Sequence, residues 1–344
     1  MLELNKYALW AGVRKDRATA ALAAAAVRLL WLTGNLEINR EQATDNFSDL
    51  GKFGGTIDAI TRLSGGGTPA IAATPEEFAR LLWIFHGGET TQAVAGPPAK
   101  TKHIFKPLPG SGFWVDFWKH LGETDKQLEQ YLLSKISQVV IDLSTANAGG
   151  RITPTIVSLD PAVTYAADPA DGMPVKGPFK YQEGEGAFKL DGVVHRGLTQ
   201  LTLTLNEDLQ VVPGDGVAPL DLQPANPSAT IGFTLQLNAQ GLARFFEQVY
   251  GTPTPAAGTR PIGHLPPLVG YNALLKRRDD DGNLTGDEFE VDIPNIRLQM
   301  PPAPAPGGGG TSELAFAGRL EPVPGQDLYT LSVTCDDAAY ALPA

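Results

Sequence analysis

TPEEFARLLWIFHG (residues 74–87) and NAQGLARFFEQVYG (residues 238–251) decide how this chain is read. Under a shift of 164 residues, Phe78 falls on Leu242, Ala79 on Ala243, Arg80 on Arg244, Leu81 on Phe245, Leu82 on Phe246 and Gly87 on Gly251. Apolar residues at 78, 81, 82 and 85, and at 242, 245, 246 and 249, form one stripe in each segment, as a short amphipathic helix requires. Thr74 with Glu77 reads as a capping box, with Pro75 in the first helical turn. Asn238 is the matching cap, and Gly87 and Gly251 suit the left-handed position that ends a helix.

The surroundings recur in the same order. LTLTLN (201–206) and TIGFTLQL (230–237) alternate polar and apolar residues with the period of two that half-buried strands have. Leu36–Ile38 and residues 56–61 hold the corresponding place before the first helix. SQVVIDLS (137–144) and RITPTIVSLDP (151–161) follow the first helix, and VDIPNIRLQM (291–300) and SELAFAGRLEP (312–322) follow the second. The reading is a mainly β fold, α+β in detail: a duplicated β-sandwich or half-barrel, each copy with one short helix packed on its sheet. The expected organisation is an N-terminal arm over 1–19, a first unit over 20–165, a linker over 166–177 and a second unit over 178–344. Each unit carries an irregular segment after its helix, about 88–134 and about 252–290. The first contains HIFKPLPGSGFWVDFWKHLG (103–122), whose Phe113, Trp114, Phe117 and Trp118 are expected at contacts between copies, where aromatic residues dominate. Arg80 and Arg244 are further candidate assembly contacts. PPAPAPGGGG (301–310) reads as a stiff, then flexible, hairpin tip.

Composition narrows the function. The 344 residues include 38 Gly and 28 Pro, too many for a helical protein and suited to short strands with many turns. A net charge of -11 argues against a surface that grips DNA or an anionic membrane. Cys335 is the only cysteine, so an internal disulfide or a thiolate-rich metal site is excluded, and it reads as a strand residue. The five histidines show no close metal-ligand spacing. Basic residues before the apolar run 18–27 superficially resemble a signal peptide, but Arg28 interrupts it and 29–32 reads as a strand. No apolar stretch reaches the roughly 18 residues of a membrane helix. RRDDDGNLTGDEFE (277–290) has acidic spacing for calcium, but Leu284 stands where the loop needs glycine, so a solvated turn is expected. EGEGAF (183–188) lacks the glycine pattern of a nucleotide cradle, and neither GxSxG nor HExxH occurs. No catalytic residue, cofactor site or metal site is assigned.

Three stretches resemble a known family. VRKDRATAALAAAAVRLLWLTGNLEINRE (13–41), GGTIDAITRLSGGGTPAIAATPEEFARLLWIFHG (54–87) and FKLDGVVHRGLTQLTLTLNEDLQ (188–210) are similar to the major tail tube proteins of long-tailed, siphovirus-like bacteriophages, in their two-domain form. The resemblance rests on the order of elements more than on a single motif. It implies a structural virion protein of the tail, made in the bacterial host cytoplasm. Such a protein self-assembles into stacked rings around a lumen lined by strands, through which genomic DNA passes without specific binding. Two units per chain imply trimeric rings of pseudo-sixfold symmetry, with a hexameric ring as the alternative. The implied partners are further copies, the tape-measure protein and other tail proteins, with no membrane. Thr202, Thr204 and Asn206 would face the lumen while Leu201, Leu203 and Leu205 face the helix. A distal tail or baseplate ring, or a secreted β-rich binding protein, is the competing reading.

Overall fold

The computed structural model describes residues 8–21, 26–47, 55–96, 98–108, 112–120, 127–144, 149–165, 169, 176–180, 188–195, 197–212, 220–225, 227–279, 281–299 and 313–343. The protein is mainly β, with two helices among the described residues. The first half of the chain holds β1 (Leu9–Val13), β2 (Val27–Leu29), β3 (Trp31–Thr33), β4 (Leu36–Phe47), β5 (Gly55–Gly67) and β6 (Ala70–Ala72). It continues with α1 (Pro75–His86), β7 (Thr90–Val94), β8 (Lys100–Phe105), β9 (Val115–His120), β10 (Gln127–Ser144) and β11 (Arg151–Tyr165). The second half holds β12 (Lys189–Leu190), β13 (Val193–Val194), β14 (Leu198–Asn206), β15 (Leu209–Val212), β16 (Asp221–Pro224) and β17 (Ser228–Gln236). It ends with α2 (Ala239–Tyr250), β18 (Leu268–Arg278), β19 (Leu284–Leu298), β20 (Glu313–Leu320) and β21 (Thr330–Cys335).

Pairing follows one scheme in both halves. In the first, the hydrogen-bonded order is β2–β1–β9–β10–β11, then β5 and β6 on β11, with β4 on β5 and β3 on β6. In the second it is β13–β12–β18–β19–β20–β17–β14. The elements take the same places in the same chain order, with the helix following β6 in one half and β17 in the other. All of these pairs are antiparallel, which lets one face be buried while the other meets water. The serine–glycine run 64–67 explains how β5 reaches β11. A Cβ on Gly66 would lie 2.3 Å from the Ile156 carbonyl oxygen, so no other residue permits that approach.

Two ladders bind the halves to each other. The C-terminal part of β10 extends past β9 and pairs with β14, from Gln138–Asn206 to Ser144–Gln200. In the second ladder β8 pairs with β21, which in turn pairs with β19. One apolar core runs through both halves, and Phe78 of α1 meets Phe289 of β19 edge-on at 4.6 Å.

Several expectations are corrected here. The segment 88–134 is not irregular: it supplies β7, β8, β9 and the start of β10. The expected N-terminal arm contains β1, whose Leu9 to Val13 pair with β9. Thr74 has the extended backbone of a cap, yet its hydroxyl donates to the Glu77 carboxylate instead of accepting a helix amide, and its own amide donates to the Ala72 carbonyl oxygen, so neither bond of the capping box forms. The 301–310 tip and most of the 166–177 linker and the 183–188 glycine stretch lie outside the described residues.

Candidate functional site

The alternation of β14 builds a two-faced sheet across the joint between the halves. Leu201, Leu203 and Leu205 are buried, and Thr202, Thr204 and Asn206 turn to the opposite face. Cα partners across a ladder share a face, so the polar residues extend into rows. One row runs Thr153, Val140, Thr204, Thr230, Arg319, and the next runs Arg151, Asp142, Thr202, Gly232, Ala317. A third brings Thr155 and Gln138 beside Asn206 and Ser228. The opposite face carries Ile152, Ile141, Leu203 and Ile231, all buried in the core. The result is a continuous wall of hydroxyls, amides and small residues spanning five strands. Its charges are sparse, with two arginines against one aspartate in the first two rows. Such a wall offers water hydrogen bonds and lacks the dense cations that hold a phosphate backbone.

At one end of the joint lies a cavity of about 230 Å³, lined by Phe85, Leu108, Leu205, Asn206, Ala229 and Tyr329 among others. It brings the last turn of α1 against the end of β14 and the start of β17. Glu207 stands at its rim, and burial raises its carboxyl above the usual range while Lys135 opposes that shift.

The six expected assembly contacts divide. Phe117 is fully buried in the main core and Trp118 is 4% exposed beside Trp10 and Leu128, so both hold β9 inside its own chain. Their dense apolar sequence marks a strand covered on both faces, and placing them at the surface between copies is corrected. Phe113 is half-buried, with its ring 4.8 Å from that of Trp83. Trp114 is half-buried between two cations, with Lys135 at 4.9 Å and Arg17 at 5.5 Å from its ring. Arg80 lies over the Tyr340 ring at 5.0 Å, held by the C-terminal segment. Arg244 is buried and reaches Asp191 at 3.0 Å and Glu247 at 2.9 Å.

A charge cluster that the sequence reading did not find ties the halves together. Asp287 of β19 is fully buried and accepts from Lys100 at 2.6 Å, Lys176 at 3.1 Å and Arg277 at 3.3 Å. Asp336 takes Lys100 at 2.7 Å and Lys176 at 2.8 Å, and Glu76 of α1 takes Lys176 as well. Burial pushes the Asp287 carboxyl up, but Lys100 and Lys176 hold it below the ordinary range. Glu76, Asp287 and Asp336 come close enough to share a cation. That place is already taken by two ammonium groups and a guanidinium, which makes the cluster a brace. Apart from Arg277 with Asp287, its bonded partners lie a hundred or more residues apart in the chain, so no local spacing announces it.

The acidic stretch 277–290 forms the end of β18, a turn and the start of β19. The Asp279 carboxylate accepts from the Asn283 amide at 2.7 Å, and Gly282 supplies the positive φ. Cys335 is buried in β21, and burial pushes its thiol up to about 12, far from a nucleophile's range. No family model matches the chain, and no curated protein matches it in sequence.

Proposed function

We propose that this chain is a self-assembling structural subunit whose copies join side by side into rings and stack into a hollow tube, as a major tail tube protein does. One observation carries the reading: the joint between β10 and β14. The two halves share a strand order and a helix position, which supports reading them as two copies of one unit. The β10–β14 ladder then joins one unit to the next head to tail. In the first half, the place of β14 belongs to β4, and LEIN (36–39) stands where LTLN (203–206) stands in the second. Among the described residues β4 pairs only with β5. An edge of twelve residues left unpaired invites another strand. A head-to-tail contact that repeats through a free edge gives a ring where the rotation closes and a filament where it does not. The polar rows through Thr202, Thr204 and Asn206 would line the lumen, where a sparse charge lets DNA slide. Two units per chain fit three chains around a sixfold ring.

Negative-stain electron microscopy of the purified protein at rising concentration tests this directly, followed by native mass spectrometry of a released ring. Hollow tubes with three chains per ring are expected. Rings that never stack would favour a distal tail or baseplate component, and six chains per ring would overturn the trimer. A protein that stays monomeric at every concentration would remove the assembly reading.

A further inference from the structure

The two helices start and end 164 residues apart, yet they meet different surroundings. Ten of the twelve residues of α1 are buried, because other segments cover its outer side. Trp83 lies under Phe113 and Tyr340, and the His86 ring stacks with Phe105 and meets Tyr329 edge-on. Phe85, in its last turn, faces Leu205 and Ala229 of the second half across the cavity at the joint. In α2 only five residues are buried. Leu242, Phe246 and Tyr250 form a stripe at helical spacing that is half-open to water. The loop after it, 252–267, leaves Leu265 69% exposed.

Among the described residues nothing comparable to β14 and β17 covers the end of α2. The first-half counterpart of β14 is β4, preceded by the corner made with β3. That corner has a groove of about 430 Å³ lined by Trp31, Leu32, Asn35, Leu36, Glu37 and Lys119, with Leu32 49% exposed. Both surfaces are apolar at the centre and complementary at the edge. The loop 252–267 carries Arg260 and His264 and no acid, whereas the groove carries Glu37, and its one base, Lys119, is paired with Glu129 at 3.0 Å.

We propose that a second copy of this chain seats its β3–β4 corner, residues 31–38, against the Leu242–Phe246–Tyr250 stripe of α2 and the loop that follows. The inference rests on the assembly reading and names the surfaces that meet between chains. It assigns α2 the contact that α1 already makes within the chain.

Paired cysteines test it in the full-length protein, since Cys335 is buried and does not compete. Leu32→Cys with Leu265→Cys, treated with a short bis-maleimide under assembling conditions, should give covalent multimers on a denaturing gel. Each single variant, and a control pair of Val193→Cys with Leu265→Cys, should stay monomeric. Tubes visible in the same sample without a Leu32–Leu265 link would overturn this contact and leave the tube reading standing. A wild-type protein that never assembles would remove both. Where the cysteine pair itself fails to assemble, a charge exchange decides. Glu37→Arg should raise the concentration needed for assembly severalfold, and adding Arg260→Glu should restore it. A double variant as poor as the single one overturns the proposal.

Discussion

α1 and α2 have the same length and follow strands of matching place in the pairing order, yet they meet different circumstances. Each has twelve residues, follows a strand by the same interval and ends on a glycine with φ of 70° or 75°. The first is enclosed by the rest of its own chain, and the second is covered on one side only. Position in the fold is therefore set by the local pattern of caps and stripe, whereas enclosure is set by what the rest of the chain brings to it. Here that is β8 of the first half together with β21 and the C-terminal segment of the second. Substitutions placed at matching positions separate the two contributions.

The largest difference is expected at Phe78 and its counterpart Leu242. Phe78 is fully buried and touches the rings of Phe179 and Phe289, so Phe78→Ala should cost about 3–5 kcal/mol through lost contacts and a cavity. Leu242 is half-exposed, and Leu242→Ala should cost under roughly 2 kcal/mol in the isolated chain. Urea midpoints of the two variants measure the gap. Equal costs in the monomer would show that α2 is as enclosed as α1 and would break the comparison.

How much of this was legible depended on whether the relevant signal was local. Pro75, Gly87, Asn238 and Gly251 bracket the helices, so their ends could be read from the sequence. The alternation of 201–206 gave both the strand and its buried face, because water on one side keeps the polar residues in phase. VDFWKH (115–120) gave no such signal, since four of its six residues are buried in succession and a strand covered on both faces has no alternation. Its aromatics therefore read as an interface. The Lys100–Asp287–Lys176 brace and the β8–β21 ladder join residues that are remote in sequence, and only the folded chain brings them together. The polar face was partly legible: the residues of β14 were assigned to it, but the rows that continue through β10, β11 and β17 depend on register.

A middle-sized effect comes from ionisable groups that α1 buries and α2 lacks, since Gly241 and Tyr250 stand where α1 has Glu77 and His86. Burial pushes Glu77 up to about 8, against the hydrogen bond from Thr74. Burial likewise pushes His86 down to about 4, against its bond to the Leu82 carbonyl oxygen. The folded chain keeps a proton on Glu77 that the unfolded chain releases above 4.5, so stability falls as pH rises from there to about 8. For His86 the unfolded chain takes up a proton below 6.5 that the folded chain refuses until about 4, so stability falls as pH drops through that window. At roughly 1.4 kcal/mol per unit, the His86 contribution lost by the acid end is about 3 kcal/mol. Denaturation midpoints measured against pH should flatten on the alkaline side in Glu77→Gln and on the acid side in His86→Gln. An unchanged slope in either variant would place its origin outside α1.

The smallest difference lies in the caps and has a steric cause. The Asn238 side chain accepts from the Gly241 amide at 2.9 Å, a simple cap whose removal in Asn238→Ala should cost about 1 kcal/mol. At α1 the corresponding hydroxyl, that of Thr74, is turned to Glu77 instead. The same arrangement is closed to α2, because a Cβ on Gly241 would sit 2.3 Å from the Gln236 carbonyl oxygen. With no acid at that position, Asn238 is left to the backbone amide. The two caps should then answer pH differently. Asn238→Ala bonds no titrating group and should cost the same from about pH 5 to about pH 9. Thr74→Val removes a donor that favours the charged form of Glu77, so its cost should grow as the solution passes the Glu77 transition near 8. Paired unfolding curves of both variants at each end of that range would show it. A Thr74→Val cost that stays flat would mean that the hydroxyl serves the helix amides after all, and that the two helices are capped alike.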